Sequence, residues 1–390
     1  VSAADATVGG ATVPATYAHV YLHVPFCARR CSYCDFAIAV RREVPWRAFA
    51  GAVARECDAR GVSGQREPLA TLYLGGGTPS RLGPAGARAV LDALHERFAV
   101  APGAEVTLEA NPEDITAEAV AAWHGSGVTR LSLGVQSFDD QVLTWMHRVH
   151  DAAGAERAVR TARDGGLTAY SLDLIFATPE RFARDWERDL DRLLELAPDH
   201  VSLYGLTVEP HTPLGRWHAR GEEREASEEV YAREFLLAHE RLTAAGYEHY
   251  EVSSFARPGK RARHNSAYWR GVPYLGLGPS AHGFDGVSRR WNLDAYVAWE
   301  SAVAAGHDPV GGEEALSGDS RAAEAVYLGL RTSDGLSVSP AEADYASAWV
   351  EAGWVTLQPT GADLRLICTA HGWLRLDALA AALTAFRSGP

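Results

Sequence analysis

Short apolar runs alternate with stretches of helical periodicity through the first 210 residues. Val20–Val24 reads as a strand, and Thr71–Leu74, Glu105–Glu109, Arg130–Gln136, Ser171–Phe176 and His200–Tyr204 read as five more. Helical patterns lie between them, among them Trp46–Arg60 and a stretch from Pro84, a residue well tolerated in a first turn, to Phe98. From the second strand onward, successive strands begin roughly 25 to 40 residues apart, the repeat of a βα unit. Six such units predict an α/β fold with a parallel sheet curled into a full or partial barrel. Polar residues and glycines mark the strand ends: Gly75-Gly76-Gly77-Thr78, Glu109, Gln136 and Asp173. Ligands of parallel sheets bind at the carboxyl edge, so these positions are expected to meet at one mouth.

The second half of the chain reads differently. A long polar helix spans Ser227–Ala245, and a β-like segment, Tyr247–Val252, follows. Residues 306–320, rich in Gly, Asp and Glu, read as a linker. Beyond them come helices over Ala322–Leu330 and Pro340–Gly353, a hairpin of Val355–Leu357 with Leu364–Ile367, and a helix ending near Phe386. The expected organisation is a loose tail over 1–16, a barrel domain over 17–305, the linker, and a small α+β module over 321–390 that resembles a winged helix in outline.

Composition narrows the function classes. Hydrophobic residues are 47% and charged residues 22%, as in ordinary globular proteins, and no apolar run approaches the roughly 18 residues of a membrane span. The net charge of −13 repels nucleic acid. The winged-helix-like module does not reverse this, because its candidate helix carries Glu342, Asp344 and Glu351 and no Lys or Arg. The first 28 residues contain no Lys or Arg, so no export signal is visible. The expected compartment is the cytoplasm, where thiols stay reduced.

That compartment matters for the cysteines. Three of the five, Cys27, Cys31 and Cys34, fall within eight residues on the loop after the first strand. A C-x3-C-x2-C triplet can hold one metal centre with three thiolates and leave a position open. A four-iron cluster suits it, with one iron unsaturated. Structural zinc takes four ligands, often as two separated pairs, and His23 is the only near candidate for a fourth. Unligated structural cysteines are the third reading. Cys57 and Cys368 are expected to be buried structural thiols.

Other candidates are weaker singly. The Gly75–Gly77 turn is neither a dinucleotide fingerprint nor a phosphate loop, but lets a ligand approach the backbone. Glu109, Gln136 and Asp173 can accept hydrogen bonds from an amine or ribose, and Arg148 can pair with a carboxylate. The plainer reading of each is a solvated loop charge or a structural ion pair. The segment Lys260–Arg270 packs four cations, His264 and the aromatics Tyr268 and Trp269 into eleven residues. Its cations suit paired carboxylates such as porphyrin propionates, and His264 could ligate haem iron. The competing reading is a helix start whose aromatics enter the core while its cations stay in water.

Together these motifs carry a resemblance. Cys27-x3-Cys31-x2-Cys34, preceded by Tyr21-x-His-x-Pro-Phe, resembles the radical S-adenosylmethionine superfamily. More narrowly it is similar to the branch that holds the oxygen-independent coproporphyrinogen III oxidases and their HemW-type relatives. The likeness continues through Gly-Gly-Gly-Thr-Pro-Ser80, Glu109-Ala-Asn-Pro112, Leu-Gly-Val-Gln136-Ser-Phe138, Asp173-Leu-Ile, Tyr204–Pro210, Gly278-Pro-Ser-Ala-His282 and Leu328–Thr332. The oxidases typically carry a further cysteine two residues after the triplet, where this chain has Phe36. The HemW type typically carries His-Asn-x-x-Tyr-Trp, which stands here as His264-Asn265-Ser-Ala-Tyr268-Trp269. Both features favour the HemW type, regarded as haem chaperones.

The resemblance implies a partial (β/α)6 barrel of TIM type with a C-terminal accessory domain. It implies a [4Fe-4S] cluster on Cys27, Cys31 and Cys34, with S-adenosylmethionine chelated at the open iron. Tyr21, Tyr33, Gly76, Gly77, Thr78, Glu109, Gln136, Arg148 and Asp173 match cofactor-contacting positions, and His264 is the haem-ligand candidate. Haem and an unidentified haem-acceptor protein are the implied partners, with room for a membrane protein met transiently. No catalytic residue is assigned. The rival implication is a radical enzyme, such as a coproporphyrinogen oxidase, in which the reduced cluster cleaves the sulfonium. One departure stands out. Where the family usually has Gly-x-Pro-Gly after Asp173-Leu-Ile, this chain has Phe176-Ala-Thr-Pro-Glu180, which is expected to restrict the backbone beside the ribose site.

Overall fold

Six strands run parallel and in chain order across the molecule: β1 (His19–Val24), β2 (Leu69–Gly76), β3 (Val100–Ala110), β4 (Arg130–Gln136), β5 (Tyr170–Phe176) and β6 (His200–Gly205). These are the six runs the hydrophobic pattern predicts; β4 keeps the predicted bounds and the other five are lengthened by one to several residues at their ends. The computed structural model describes residues 16–389 except 66, 168 and 362, so the tail expected over 1–16 lies almost wholly outside the described residues.

The sheet does not close. Beyond β6 it continues antiparallel, since β7 (Glu248–Glu251) and β8 (Ser254–Ala256) pair with each other and β8 pairs with β6. At the other edge, β9 (Leu275–Leu277) runs parallel to β1. The result is a nine-stranded partial barrel. Apolar residues such as Leu22, Leu74, Leu108, Leu133, Leu172 and Val201 are fully buried in it, as expected of strands covered on both faces.

β9 is anchored by a buried acid. Glu56 lies in the helix Trp46–Ala59, fully buried, and accepts from the Gly278 amide at 2.8 Å, Trp299 Nε1 at 3.0 Å and Asn292 Nδ2 at 2.6 Å, while Arg60 pairs with it at 3.0 Å. The Gly278–His282 motif therefore fastens the edge strand.

The stretch 306–320 is not without structure. Val310–Ala315 forms a strand against Ser288–Asn292, and a helix begins at Gly318. Its exposed Gly and Glu residues give no apolar alternation, which is why the strand is not visible in the pattern. The C-terminal part holds a sheet ordered Leu336–Val338, Asp363–Cys368, Val355–Thr360, with helices Gly318–Arg331 and Leu376–Ser388. It docks on β7 through backbone bonds, Val252 N to Arg331 O and Ser333 N to Tyr250 O, and through the Arg331–Glu251 ion pair at 2.9 Å. Cys57 and Cys368 are buried, and burial pushes each thiol up to about 12. Among the described residues no helix is long and apolar enough to cross a membrane.

Candidate functional site

The cysteine loop starts where β1 ends. Phe26 anchors it, packing edge-on against Phe49 and Tyr296 at 5.3 and 5.2 Å. Phe26–Cys27 then pairs parallel with Ala39–Val40, so residues 28–38 form a closed excursion that carries Cys31 and Cys34. The His23 ring holds its returning end, Nε2 to Ala37 O 2.9 Å. All three cysteines line one cavity of about 370 Å³ at the carboxyl edge of the sheet.

Polar groups meet two of these sulfurs. The Thr78 hydroxyl lies 3.4 Å from Cys27 Sγ, and Arg148 Nη1 donates to Cys31 Sγ at 3.5 Å. Burial pushes the Cys27 thiol up and Cys34 up to about 11, so an electropositive centre is needed to hold them as thiolates. Among the described residues no three His, Cys, Asp or Glu side chains converge on a single ion. A cluster takes each sulfur on a separate iron corner, so three thiols spaced around one cavity suit it. Arg148 is itself fixed, with Nη2 donating to Asn111 Oδ1 at 2.5 Å and to Gly134 O at 2.8 Å.

The glycine turn after β2 forms the next wall. Gly76 has φ +107°, and a Cβ there would stand 2.6 Å from the His23 ring. A Cβ on Gly77 would meet the Pro25 carbonyl at 2.7 Å. Both positions therefore require glycine, and the Gly76 amide is free to donate to Glu109 Oε2 at 3.0 Å. The other Glu109 oxygen accepts from the Tyr73 hydroxyl at 2.7 Å. Burial pushes Glu109 up to about 7; the Tyr73 bond opposes this and the nearby Asp173 charge adds to it.

Gln136 ends β4 at a register shift, with φ +70°. A left-handed glutamine is a strained conformation of the kind found at ligand sites. Asp173 accepts from the hydroxyls of Ser132 at 2.9 Å and Ser171 at 3.1 Å, and burial raises its carboxyl despite them.

The cavity thus gathers Cys27, Cys31, Cys34, Tyr33, Gly76, Gly77, Thr78, Glu109, Gln136, Arg148 and Asp173. Tyr21 stands behind this wall, stacked on Tyr73 at 6.0 Å and touching the place a Gly75 side chain would take. Phe36, 60% exposed, sits at the mouth.

His264 is elsewhere. It is 1% exposed in the barrel interior, stacked on Tyr73 at 5.0 Å, with Nδ1 bonded to Thr71 Oγ1 at 2.6 Å and Nε2 to the Tyr268 hydroxyl at 2.8 Å. Burial pushes its imidazole down to about 3, so it is neutral, and in this conformation it offers no free nitrogen to a metal. The helix Arg263–Trp269 splits its motif: His264 and Tyr268 face inward, while Ser266, Trp269 and the following Arg270 line a cleft toward the C-terminal part. The i, i+4 spacing accounts for this division.

The expected restriction after Asp173 takes a different form. Ala177 stands in the left-handed region at φ +55°, its amide donating to Glu234 Oε2 at 2.8 Å. The turn is made without glycine, at a cost in strain. Three positioning residues have no role assigned from the sequence: Tyr73, Asn111 and Ser132. Of these only Asn111 lies in a motif quoted above, Glu109-Ala-Asn-Pro112, two residues after Glu109.

A cluster-sized cavity with three loop cysteines at the mouth of a six-stranded parallel partial barrel defines a radical S-adenosylmethionine protein. The profile of the radical SAM superfamily matches residues 21–193. More specifically, the chain belongs to the HemW family. It is 38% identical to the haem chaperone HemW of Mycobacterium tuberculosis over 378 residues, covering 95% of this chain and 96% of that one. It is 36% identical to the HemW of Escherichia coli over 265 residues, covering 68% and 69%. Among solved structures it resembles the coproporphyrinogen III oxidase HemN of Escherichia coli, a radical SAM enzyme, with a TM-score of 0.77 and 24% identity over 96% of this chain and 92% of that one. That likeness is one of fold.

Proposed function

We propose that this chain is a cytoplasmic haem chaperone that carries a [4Fe-4S] cluster and S-adenosylmethionine, binds haem and passes it to an acceptor protein. One observation carries the reading: in a chain 38% identical to a haem chaperone, the three cysteines line the same cavity as Glu109, Gln136, Arg148 and Asp173. Cys27, Cys31 and Cys34 would hold the cluster, which supplies an open iron corner for the amine and carboxylate of S-adenosylmethionine. Arg148 sets its guanidinium against the Cys31 sulfur, donating to it at 3.5 Å. The Thr78 hydroxyl stands 3.4 Å from the Cys27 sulfur. Glu109 can accept hydrogen bonds from the N–H groups of the iron-bound amine, and Asp173, oriented by two serines, suits ribose hydroxyls. The Gly76–Gly77 backbone lets the ligand approach closely. The acceptor is an unidentified protein, and a membrane protein met transiently falls within the proposal.

The oxidase-like fold favours a second reading, a radical enzyme acting on coproporphyrinogen III. Phe36, standing where those oxidases carry a further cysteine, speaks for the chaperone. Anaerobically reconstituted protein with dithionite and coproporphyrinogen III separates the two. The chaperone reading expects haem binding without protoporphyrinogen, and formation of 5′-deoxyadenosine together with protoporphyrinogen would overturn it.

A further inference from the structure

The C-terminal part completes a cleft of about 560 Å³ against the outer face of the helix Arg263–Trp269. Three guanidinium groups line it, those of Arg261, Arg270 and Arg365, with the single carboxylate of Asp334. In a chain of net charge −13 this is a local reversal of sign. The three are not equivalent. Arg261 is neutralised within the fold, pairing with Glu248 at 3.0 Å and Asp334 at 2.9 Å. Among the described residues Arg365 bonds only to neutral carbonyls, Nη1 to Asp334 O at 3.0 Å and Gly335 O at 3.1 Å. Arg270 has no side-chain partner among the described residues and is exposed.

The wall of the cleft holds unpaired buried donors. Trp269, one of its walls, has an indole N–H shielded from water with no acceptor. Arg331, stacked over that indole at 4.1 Å and paired with Glu251, lies behind this wall with an Nε–H in the same condition. Two guanidinium groups without carboxylate partners among the described residues, one from each side of the cleft, match a ligand carrying two carboxylates on flexible arms.

We propose that this composite cleft binds the two propionates of haem, with Arg270 supplied by the barrel and Arg365 by the C-terminal part. The inference rests on the haem-binding reading above and deepens it. It gives the C-terminal part a role, that of supplying half of a carboxylate clamp. It also assigns the outward half of the His264–Trp269 motif to the carboxylate edge of the porphyrin, and leaves His264 to the interior.

The test is an absorbance titration of the cluster-loaded full chain with three probes: haem, metal-free protoporphyrin IX and the dimethyl ester of haem. The variants are Arg270→Gln, Arg365→Gln and their combination. Both side chains lie at the cleft surface, and an unchanged cluster absorbance shows that the barrel is intact. The expected result is affinity for haem and for metal-free protoporphyrin at least 10-fold weaker in the double variant, while the dimethyl ester binds wild type and double variant equally. Equal haem binding by wild type and double variant would overturn the clamp and leave haem binding in place. A wild type that binds neither haem nor metal-free porphyrin would overturn both.

Discussion

Asp173 and Tyr250 lie on two different openings of the molecule, and a continuous line of hydrogen bonds joins them. Tyr250 lines the composite cleft, and its hydroxyl lies 2.8 Å from His200 Nε2. His200 Nδ1 lies 2.8 Å from Ser171 Oγ, which donates to Asp173 Oδ1 at 3.1 Å in the cluster cavity. One set of protons satisfies every member: Tyr250 donates to Nε2, Nδ1–H donates to Ser171, and Ser171 donates to Asp173. His200 and Ser171 are buried, so no water can substitute for a missing partner.

Such a line is read by a double-mutant cycle. Tyr250→Phe leaves His200 Nε2 without a donor, and Ser171→Ala leaves Nδ1–H without an acceptor. Each is expected to cost about 1–3 kcal/mol in denaturant unfolding. Their effects on stability are expected to be coupled by at least about 0.5 kcal/mol. Strict additivity would show that the two groups act independently.

At Ala177 the expectation is a gain. Its left-handed backbone costs an L-residue about 1–2 kcal/mol that glycine does not pay. Ala177→Gly is therefore expected to be neutral to stabilising by about 1 kcal/mol after the loss of chain entropy is included. A clear destabilisation, measured by thermal unfolding, would mean that the turn is held by the Ala177 methyl group.

The Glu109 carboxyl gives a pH dependence with a definite sign. Its folded value of about 7 lies above the ordinary 4.5, so the folded state holds its proton more tightly than the unfolded chain does. Its contribution to stability is complete below about 4.5 and is lost as pH rises through 7. Without ligand, the stability of wild type minus that of Glu109→Gln is expected to fall between pH 5 and pH 8. Binding of S-adenosylmethionine, which brings a sulfonium cation and an amine whose N–H groups donate to the carboxylate, is expected to tighten over the same interval in wild type. A difference in stability that does not change with pH would show that Glu109 is ionised throughout.

His264→Ala separates an interior role from haem ligation. The substitution opens a cavity beside Tyr73 and leaves Thr71 and Tyr268 without their partner. It is expected to cost about 2–4 kcal/mol of stability with the haem absorbance maximum unmoved. A shifted maximum at unchanged stability would instead make His264 the iron ligand and require the barrel to open.

Much of this was legible along the chain because strands buried on both faces leave plain apolar runs, and six of the nine barrel strands were found from them. The convergence of Gly76, Glu109, Gln136 and Asp173 followed from parallel-sheet geometry. The strand Leu275–Leu277 did not show itself, being three residues long with a central glycine and held by the remote Glu56. Nor did the division of the His264–Trp269 helix, because which face turns inward is set by Thr71 on one side and by the docked C-terminal part on the other. Asn111, Tyr73 and Ser132 carry ordinary side chains whose roles exist only through the partners they orient.

The most direct measurement is an iron and acid-labile sulfide count on anaerobically reconstituted protein, made alongside a Cys27→Ala, Cys31→Ala, Cys34→Ala variant. About four irons and four sulfides per wild-type chain, and almost none in the triple variant, are expected. Stoichiometric zinc without sulfide, or the same iron content in both proteins, would contradict the assignment of the cavity to a cluster.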